Sequence, residues 1–345
     1  MSEEQKLATL NLITPSAEAD ALRGCDLIIE AVFENVELKH KITKELEPML
    51  AEDGVWGSNT STLPITLLAE PSLNPENFIG IHFFSPVDRM PLVEIIVGDK
   101  TSDETLARAF DYSQQIKKTP IVVNDSRGFF TSRVFATYID EGALLFEEGV
   151  DPVVIENIGK AIGMPVGPLA VQDEVSQQLA VKATDTNREL DKRNGDNYAA
   201  DTAAYRLASK MLKEFGRGGR AHGGGYYEYP ADGEKFLWPE IYNWHYNKAV
   251  SLPNDDIKDR LLFRQIVESL RCYQEGVMNN VADANIGSIM GIGFPPYTGG
   301  VLQYVNTYGL KKFATRLAEL ATKYGERFEP PQVLLDKAEK GELFA

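Results

Sequence analysis

Cysteine is scarce in this chain of 345 residues, and long apolar runs are absent. Cys25 and Cys272 lie far apart and in no CxxC pattern, which argues against a disulfide framework or a zinc site and favours a reducing compartment. No apolar run approaches the ~18 residues needed to cross a bilayer. Residues 1–25 lack the features of a signal peptide. We therefore expect a cytoplasmic protein with neither a membrane span nor a metal site.

Positive charge is also in short supply. The chain has 35 Lys and Arg residues against 51 Asp and Glu residues, a formal net charge of −16. A surface this acidic repels phosphate backbones, so a nucleic-acid partner is not expected. A phosphate-bearing cofactor stays open, because a few local cations and backbone N–H groups can hold one.

The first third of the chain alternates between strand-like and helix-like patterns. Such alternation predicts an α/β domain whose mostly parallel sheet is covered by helices. The predicted strands are residues 26–32, 55–59, 78–84, 92–97 and 120–123, and the predicted helical segments are residues 35–50, 64–69 and 103–117.

After Asn124 the strand signals thin out and helical patterns dominate. The glycine-rich residues 216–225 predict a flexible loop, and the aromatic-rich residues 232–254 predict a connector that is packed against the rest of the chain. The predicted helices are residues 129–149, 152–162, 169–193 and 205–215.

The helical part contains an internal repeat, which predicts two copies of one helical unit packed face to face. The expected division is a sheet domain over residues 1–124, a first helical unit over residues 125–230, and a connector with the second unit over residues 231–345. The repeated features are EGV at residues 148–150 and 275–277, NIGxxxG at residues 157–163 and 285–291, and the pairs Arg133 with Glu141 and Arg260 with Glu268.

His82 and Glu94 lie at equal distances from Asp88, in the loop between two predicted strands. If those strands run back along one another, the two side chains face each other across the ladder. A glutamate among apolar neighbours is expensive to bury without a partner, and an imidazole is a natural one. The pair matches a general base with its orienting carboxylate. A purely structural His–Glu hydrogen bond explains the same spacing.

Polar residues near the ends of the first two predicted strands form a second candidate site. Residues 58–61 follow a strand, at the sheet edge where open α/β sheets bind ligands, although they also suit an N-cap for the next helix. Lys39 near a helix start opposes the helix dipole, which points either to an anionic ligand or to a solvated helix face. No strand–GxGxxG–helix motif precedes Asp26.

Taken together, the segments resemble the 3-hydroxyacyl-CoA dehydrogenase family, specifically the dehydrogenase portion of the alpha subunit of multifunctional fatty-acid oxidation complexes. The doubled helical unit favours this long form, because the short dehydrogenases carry one copy and dimerise through it. The matching segments are residues 26–34, 58–63, 82–86, 92–95, 125–130, 163–168, 225–229 and 293–296.

The resemblance implies a partial Rossmann-like domain and the NAD-dependent oxidation of (S)-3-hydroxyacyl-CoA to 3-ketoacyl-CoA in β-oxidation. It implies that His82 is the general base, that Glu94 orients its ring, and that Ser61 hydrogen-bonds the reacting oxygen. Ser132 stands where the family usually has an Asn that polarises the substrate carbonyl. A related dehydrogenase acting on another 3-hydroxy acid is the remaining alternative within this class.

The resemblance also assigns residues to NAD. Those positions are Val32, Glu34, Lys39, Ser61 and Ser85. At position 85 a serine replaces the family's usual Asn, so a bridging water is needed to cover the shorter reach. One more departure lies at Arg127, where the usual Pro-Gly-Phe reads Arg-Gly-Phe.

By comparison with a complete fold, about 70 residues at the front of the nucleotide domain are missing, including the glycine turn for the pyrophosphate. We therefore expect weak or no NAD binding by this chain alone, and an incompetent fragment that retains the acyl-CoA-binding helical core is the alternative function. The exposed sheet edge should be covered by residues 1–21 or by another chain. Expected partners are acyl-CoA and either a second copy of the chain or a thiolase subunit in the full-length enzyme.

Overall fold

The computed structural model describes residues 2–196 and 198–345. Its central feature is a five-stranded sheet whose strands follow one another in chain order. Neighbouring strands are parallel except for the third and fourth, which are antiparallel. This confirms the predicted fold class, a mostly parallel sheet followed by a helical part. The strands are β1 (Cys25–Glu30), β2 (Leu50–Ser58), β3 (Phe78–Phe83), β4 (Leu92–Val97) and β5 (Thr119–Asn124).

Helices cover the sheet and build the rest of the chain. Among the described residues, none of them combines the length and apolar character that crossing a bilayer requires. The helices of the sheet domain are α1 (Glu3–Leu10), α2 (Val36–Leu46), α3 (Ile65–Leu68) and α4 (Asp103–Gln115). Those that follow are α5 (Thr131–Glu147), α6 (Pro152–Ala161), α7 (Pro168–Val175), α8 (Gln177–Asn194), α9 (Ala203–Phe215), α10 (Asn254–Gln274), α11 (Val281–Ile292), α12 (Val301–Tyr308), α13 (Leu310–Tyr324) and α14 (Gln332–Lys340).

The central strands are buried on both faces, as their near-continuous apolar sequences require. Helix α4 packs on one face, where its Ala109 joins Ile79, Ile81, Val93 and Ile95. The opposite face belongs to a large core that continues into the helical units. The sheet and the helical part are therefore joined by one apolar interior.

The two helical copies face each other across α5 and α10, as the repeat predicts. Each copy donates an arginine to two glutamates of the other, so the ion pairs are reciprocal, as in a two-fold symmetric interface. The bonds run from Arg133 to Glu268 (2.6 Å) and Glu275 (2.7 Å), and from Arg260 to Glu141 (2.6 Å) and Glu148 (2.6 Å).

The repeated glycines let helices approach closely. A Cβ added at Gly291 of α11 would lie 2.7 Å from the Leu92 side chain of β4, and one at Gly287 would lie 2.6 Å from Ile121 of β5. In the first copy, a Cβ at Gly159 would lie 2.6 Å from the Tyr138 hydroxyl. Helix α11 of the second copy therefore packs directly on the strands that carry the candidate site.

Three local expectations were wrong. The helix predicted over residues 169–193 is broken at Ser176, which has φ 81° and caps α8 by accepting from the Gln178 N–H (3.2 Å). The helix predicted over residues 35–50 ends at Leu46, and β2 already begins at Leu50. The glycine run is tied down, because the Gly219 N–H donates to the Gly224 carbonyl (2.8 Å) and Asp173 accepts from the chain that follows it.

The N-terminal residues do not cover the sheet edge. Strand β1 is the outermost strand, yet residues 2–18 are exposed throughout, and α1 buries none of its residues. That part of the expectation is therefore wrong for the described residues, and Met1 lies outside them. The predicted packing of the connector is confirmed, since Ile241 is buried and Trp244 packs edge-on against Phe146 at 5.6 Å.

Candidate active site

His82 and Glu94 are direct neighbours across the antiparallel pair β3–β4. The His82 Nδ1 lies 2.9 Å from the Glu94 Oε2, and the two residues are 6% and 0% exposed. The facing arrangement that the spacing around Asp88 predicts is thus present. Because an ionised carboxylate only accepts hydrogen bonds, the shared proton belongs to Nδ1, and Nε2 keeps a lone pair that can take a proton.

Glu94 accepts further hydrogen bonds from the start of α5. Its Oε1 accepts from the Phe130 N–H (3.1 Å) and the Thr131 N–H (3.0 Å), and its Oε2 accepts from the Thr131 hydroxyl (2.5 Å). These N–H groups are the unpaired donors at a helix N-terminus, whose dipole favours a negative charge. The carboxylate is thereby held in one orientation and aimed at His82.

The other side of the imidazole is lined by aromatic rings. The Phe84 ring centroid lies 4.6 Å from that of His82, and the Phe129 centroid lies 6.4 Å away. Nε2 of His82 makes no hydrogen bond to the part of the chain that the structure describes. The ring therefore presents one free nitrogen beside an apolar surface that limits the access of water.

Ser61 and Ser132 are brought together although 71 residues separate them. The Ser132 hydroxyl donates to the Ser61 carbonyl (2.9 Å), joining the first turn of α5 to the loop after β2. In the same loop, Asn59 accepts from the Phe83 N–H (2.8 Å), directly after His82. The four residues predicted to be catalytic thus form two hydrogen-bonded pairs, His82–Glu94 and Ser61–Ser132, and Ser132 directly follows the Glu94 donor Thr131 in the chain.

Glu34 shapes the loop that contains Ser61. Its Oε1 accepts from the Thr60 hydroxyl (2.7 Å), the Ser61 N–H (2.9 Å) and the Thr62 N–H (3.0 Å). Lys39 is buried beneath it, 3.5 Å from the Glu34 Oε2 and 2.7 Å from the Glu30 Oε1. Lys39 is therefore not on a solvated helix face, and the anions beside it in the structure are Glu30 and Glu34.

The other two positions assigned to NAD differ in their surroundings. Val32 belongs to the same cluster, since its carbonyl accepts from Lys39 Nζ (3.4 Å) and its N–H donates to Glu30 (3.3 Å). Ser85 is exposed in the loop after β3, and no hydrogen bond joins it to another described residue. The structure thus groups Val32, Glu34, Lys39 and Ser61 but leaves Ser85 apart.

Residues 125–132, named here the junction segment, contribute contacts that sequence reasoning missed. Asp125 accepts from the Ile65 N–H (2.8 Å) and the Thr66 N–H (2.7 Å), and burial raises the pKa of this carboxyl group. The Gly128 N–H donates to the Thr62 carbonyl (3.0 Å). The family resemblance pointed to residues 125–130 and to Ser132, but no local pattern indicated the partners of Asp125 and Gly128.

Comparison with known proteins places this arrangement in a family. The family model for the NAD binding domain of 3-hydroxyacyl-CoA dehydrogenase matches residues 1–126, and the model for its C-terminal domain matches residues 128–229. The (S)-3-hydroxybutyryl-CoA dehydrogenase of Ralstonia eutropha is 35% identical, with a TM-score of 0.58, over 67% of this chain and 80% of that one. The chain therefore belongs to the 3-hydroxyacyl-CoA dehydrogenase family.

Two further comparisons extend over almost the whole chain. A 3-hydroxybutyryl-CoA dehydrogenase from Escherichia coli has the same fold, with a TM-score of 0.78 at 22% identity over 99% of this chain and 87% of that one. The fatty acid oxidation complex subunit alpha of Shewanella loihica is 37% identical over 96% of this chain but only 46% of its own length. The chain thus spans about half the length of the curated relatives it matches.

Proposed function

We propose that this chain carries out the NAD-dependent oxidation of (S)-3-hydroxyacyl-CoA to 3-ketoacyl-CoA in fatty-acid β-oxidation. The observation that supports this most is the state of His82. Its Nδ1 is engaged by a fully buried Glu94, while its Nε2 stays free of protein partners among the described residues. A general base needs one ring nitrogen that is free to take a proton, whereas a purely structural histidine has both ring nitrogens hydrogen-bonded. His82 has the first arrangement.

In the proposed reaction, His82 Nε2 accepts the proton of the substrate 3-hydroxyl group as that carbon becomes a ketone. Glu94 stabilises the imidazolium that forms and prevents the ring from turning. The Ser61 hydroxyl hydrogen-bonds the reacting oxygen. Ser132 polarises the thioester carbonyl by turning its one hydroxyl proton from the Ser61 carbonyl to the substrate. NAD, held by Val32, Glu34, Lys39, Ser61 and Ser85, would supply the acceptor for the hydride that leaves C3.

The residues at the ends of β1 and β2 fit one end of NAD. The carboxylate of Glu34 and the exposed hydroxyl of Ser61 provide an acceptor and a donor for ribose hydroxyls and the nicotinamide amide, with Val32 beside them and Lys39 fixing Glu34 from below. Ser85 is exposed and free to donate. The sequence offers no strand–GxGxxG–helix motif for the pyrophosphate.

That last observation favours the second candidate function, a fragment that retains the acyl-CoA-binding helical core without turnover. The relatives named above as complex subunits support assembly with another protein, and a thiolase subunit of the full-length enzyme is the partner proposed. A homodimer is the alternative. We also retain the proposed division into residues 1–124, 125–230 and 231–345.

The reverse reaction provides the test. Acetoacetyl-CoA and NADH are mixed with the protein, and the loss of NADH absorbance is followed. We expect His82→Gln to lower kcat by about 10²–10⁴-fold, the usual worth of a general acid–base group. His222→Gln, at an exposed histidine in the glycine-rich loop, is the matched control and should leave kcat unchanged.

The outcomes separate the two candidates. Turnover that depends on His82 supports the dehydrogenase. Full activity of the His82→Gln variant overturns the mechanism. No turnover by the wild-type chain, together with retained binding of acetoacetyl-CoA in calorimetry, supports the fragment that keeps only the acyl-CoA-binding core.

A further inference from the structure

We propose that Arg127 is a positioning residue for the His82–Glu94 dyad. Through Arg127, the end of α8 holds the junction segment, and the junction segment supplies the donors that fix Glu94. The inference rests on the proposed function, because a dyad needs fixed geometry only if it transfers a proton.

The Arg127 guanidinium is enclosed by the connection between α8 and α9. It donates to Asp191 at the end of α8 and to Asp196 (2.9 Å), and its side chain is only 10% exposed. It also lies over the Tyr198 ring at 5.1 Å, while the Tyr198 hydroxyl donates to the Arg127 carbonyl (3.2 Å). Arg127 is therefore held by ion pairs, by the aromatic ring of Tyr198 and by a hydrogen bond to its own carbonyl.

Asp191, which accepts a hydrogen bond from Arg127, is itself held in place. Asp191 accepts a second hydrogen bond from the Ala199 N–H (2.8 Å). Burial alone raises the pKa of Asp191, but the hydrogen bonds from Ala199 and Arg127 outweigh it and leave that pKa below its usual value. Asp191 thus remains an anion fixed at the end of α8.

The junction segment needs contacts from outside it to keep its conformation. Gly128 and Phe129 both have positive φ angles, 72° and 49°, and this conformation is unfavourable for a phenylalanine. The two residues that follow, Phe130 and Thr131, donate to Glu94, and Ser132 donates to the Ser61 carbonyl. A shift of the strained turn would move every one of these contacts.

A second ion pair offers a matched comparison. Arg193, also near the end of α8, lies 2.9 Å from Glu70 of the sheet domain. This pair also anchors the end of α8, but to the sheet domain and away from the junction segment. It is exposed, with side chains 43% and 53% accessible, and Arg193 is not bonded to the junction segment. If Arg127 acted only by anchoring the end of α8, loss of Arg193 would have a similar effect.

The experiment compares Arg127→Ala, Arg127→Lys and Arg193→Ala in the full chain, with two readouts. The first is the low-field proton NMR signal of the His82 Nδ1–H, assigned by its loss in His82→Gln. The second is steady-state kinetics with acetoacetyl-CoA and NADH. We expect Arg127→Ala to shift or broaden the NMR signal and to lower kcat by about 10²-fold with little change in KM, the cost of a misplacement of ~1 Å.

Arg127→Lys should give a smaller loss, because an ammonium group cannot bond both aspartates in the geometry of a guanidinium. Arg193→Ala should leave both readouts unchanged. Equal effects of the two alanine variants, or an unchanged His82 signal in Arg127→Ala, would overturn the proposal. If Arg127→Ala does not fold, the His82 NMR signal and the kinetics of Arg127→Lys are compared with those of Arg193→Ala instead.

Failure of the proposed function has a different signature. In that case the wild-type chain shows no turnover, yet the His82 signal still responds to substitution of Arg127 and not of Arg193. The NMR readout therefore tests the positioning role whether or not the chain turns over.

Discussion

At the scale of single residues, the site depends on the hydrogen bonds that compensate for the burial of the Glu94 carboxylate. Glu94 is fully buried, and a charge in that position is costly unless hydrogen bonds replace its water. It accepts from the His82 ring, two backbone N–H groups and the Thr131 hydroxyl. Removing any one donor therefore changes either the charge or the direction of the group that orients His82.

Glu94→Gln is expected to abolish the base without unfolding the protein. The glutamine oxygen will take the place of Oε1, because the Phe130 and Thr131 N–H groups require an acceptor there. Its NH₂ group will then face Nδ1, so the ring proton moves to Nε2 and the lone pair is lost. We expect kcat to fall by about 10²–10⁴-fold, measured in the acetoacetyl-CoA assay.

Glu37→Gln, an exposed glutamate on α2, serves as the control. Circular dichroism of both variants checks that the fold is retained. Wild-type kcat in a folded Glu94→Gln protein would show that the carboxylate does not set the tautomer of His82.

At the scale of secondary-structure elements, one antiparallel pair in a mostly parallel sheet creates the site. Because β3 and β4 run in opposite directions, residues at equal distances from the connecting loop lie opposite each other. A parallel β4 would place another residue beside His82. The start of α5 then completes the site, because its free N–H groups point at the carboxylate on β4.

The pairing of α5 with α10 is stabilised by charges that are buried unequally. Glu141 is fully buried and contacts Arg260 (2.6 Å) and Arg327 (2.7 Å). Burial raises the pKa of Glu141, but the neighbouring Arg327 and Arg260 outweigh that effect and hold it below the usual value. Its counterpart in the second copy, Glu268, keeps 13% of its side chain exposed.

This asymmetry leads to a stability prediction for the two equivalent glutamates. Glu141→Gln removes the buried charge that Arg260 and Arg327 share, leaving Arg260 with Glu148 alone, and should lower the free energy of unfolding by about 3–5 kcal/mol. Glu268→Gln should cost clearly less, because water can reach its arginine partners. Urea unfolding followed by circular dichroism measures both values. Equal losses would show that burial does not distinguish the two ion pairs.

At the scale of the whole molecule, the second helical unit is part of the site's surroundings. Its α11 lies on β4 and β5, and a Cβ at Gly291 would come within 3.4 Å of the Thr131 side chain, a donor to Glu94. The first unit reaches the same place from the other side, through Arg127 and α8. Both copies therefore hold the strands and the junction segment that carry the dyad.

NAD binding depends on the whole molecule, because the ribose and nicotinamide end and the pyrophosphate need residues from different parts of the chain. In these 345 residues, Glu34, Lys39 and Ser61 can serve the ribose and nicotinamide end, but no glycine turn before a helix serves the pyrophosphate. We therefore expect the chain alone to bind NADH weakly in a fluorescence titration. The titration is repeated with His82→Gln, which should bind equally weakly. A Kd in the micromolar range would contradict the prediction.

The sequence by itself determined the features that depend on local spacing. Periodicity located the strands and most helices, since burial of one face or both repeats along the chain at short intervals. The equal distances of His82 and Glu94 from Asp88 predicted their pairing, and two matching stretches predicted the facing helical copies. Their functional roles remain predictions until the kinetic experiments are done.

The tertiary structure alone decided which partners satisfy the buried polar groups. The donors to Glu94 come from 36 and 37 residues further along the chain, and the carboxylate that shapes the Ser61 loop comes from Glu34. No local pattern encodes such choices, because they follow from which chain ends meet once the apolar faces are buried. The helix break at Ser176 and the contacts that fix Arg127 also depend on the tertiary structure, so no local pattern predicted them.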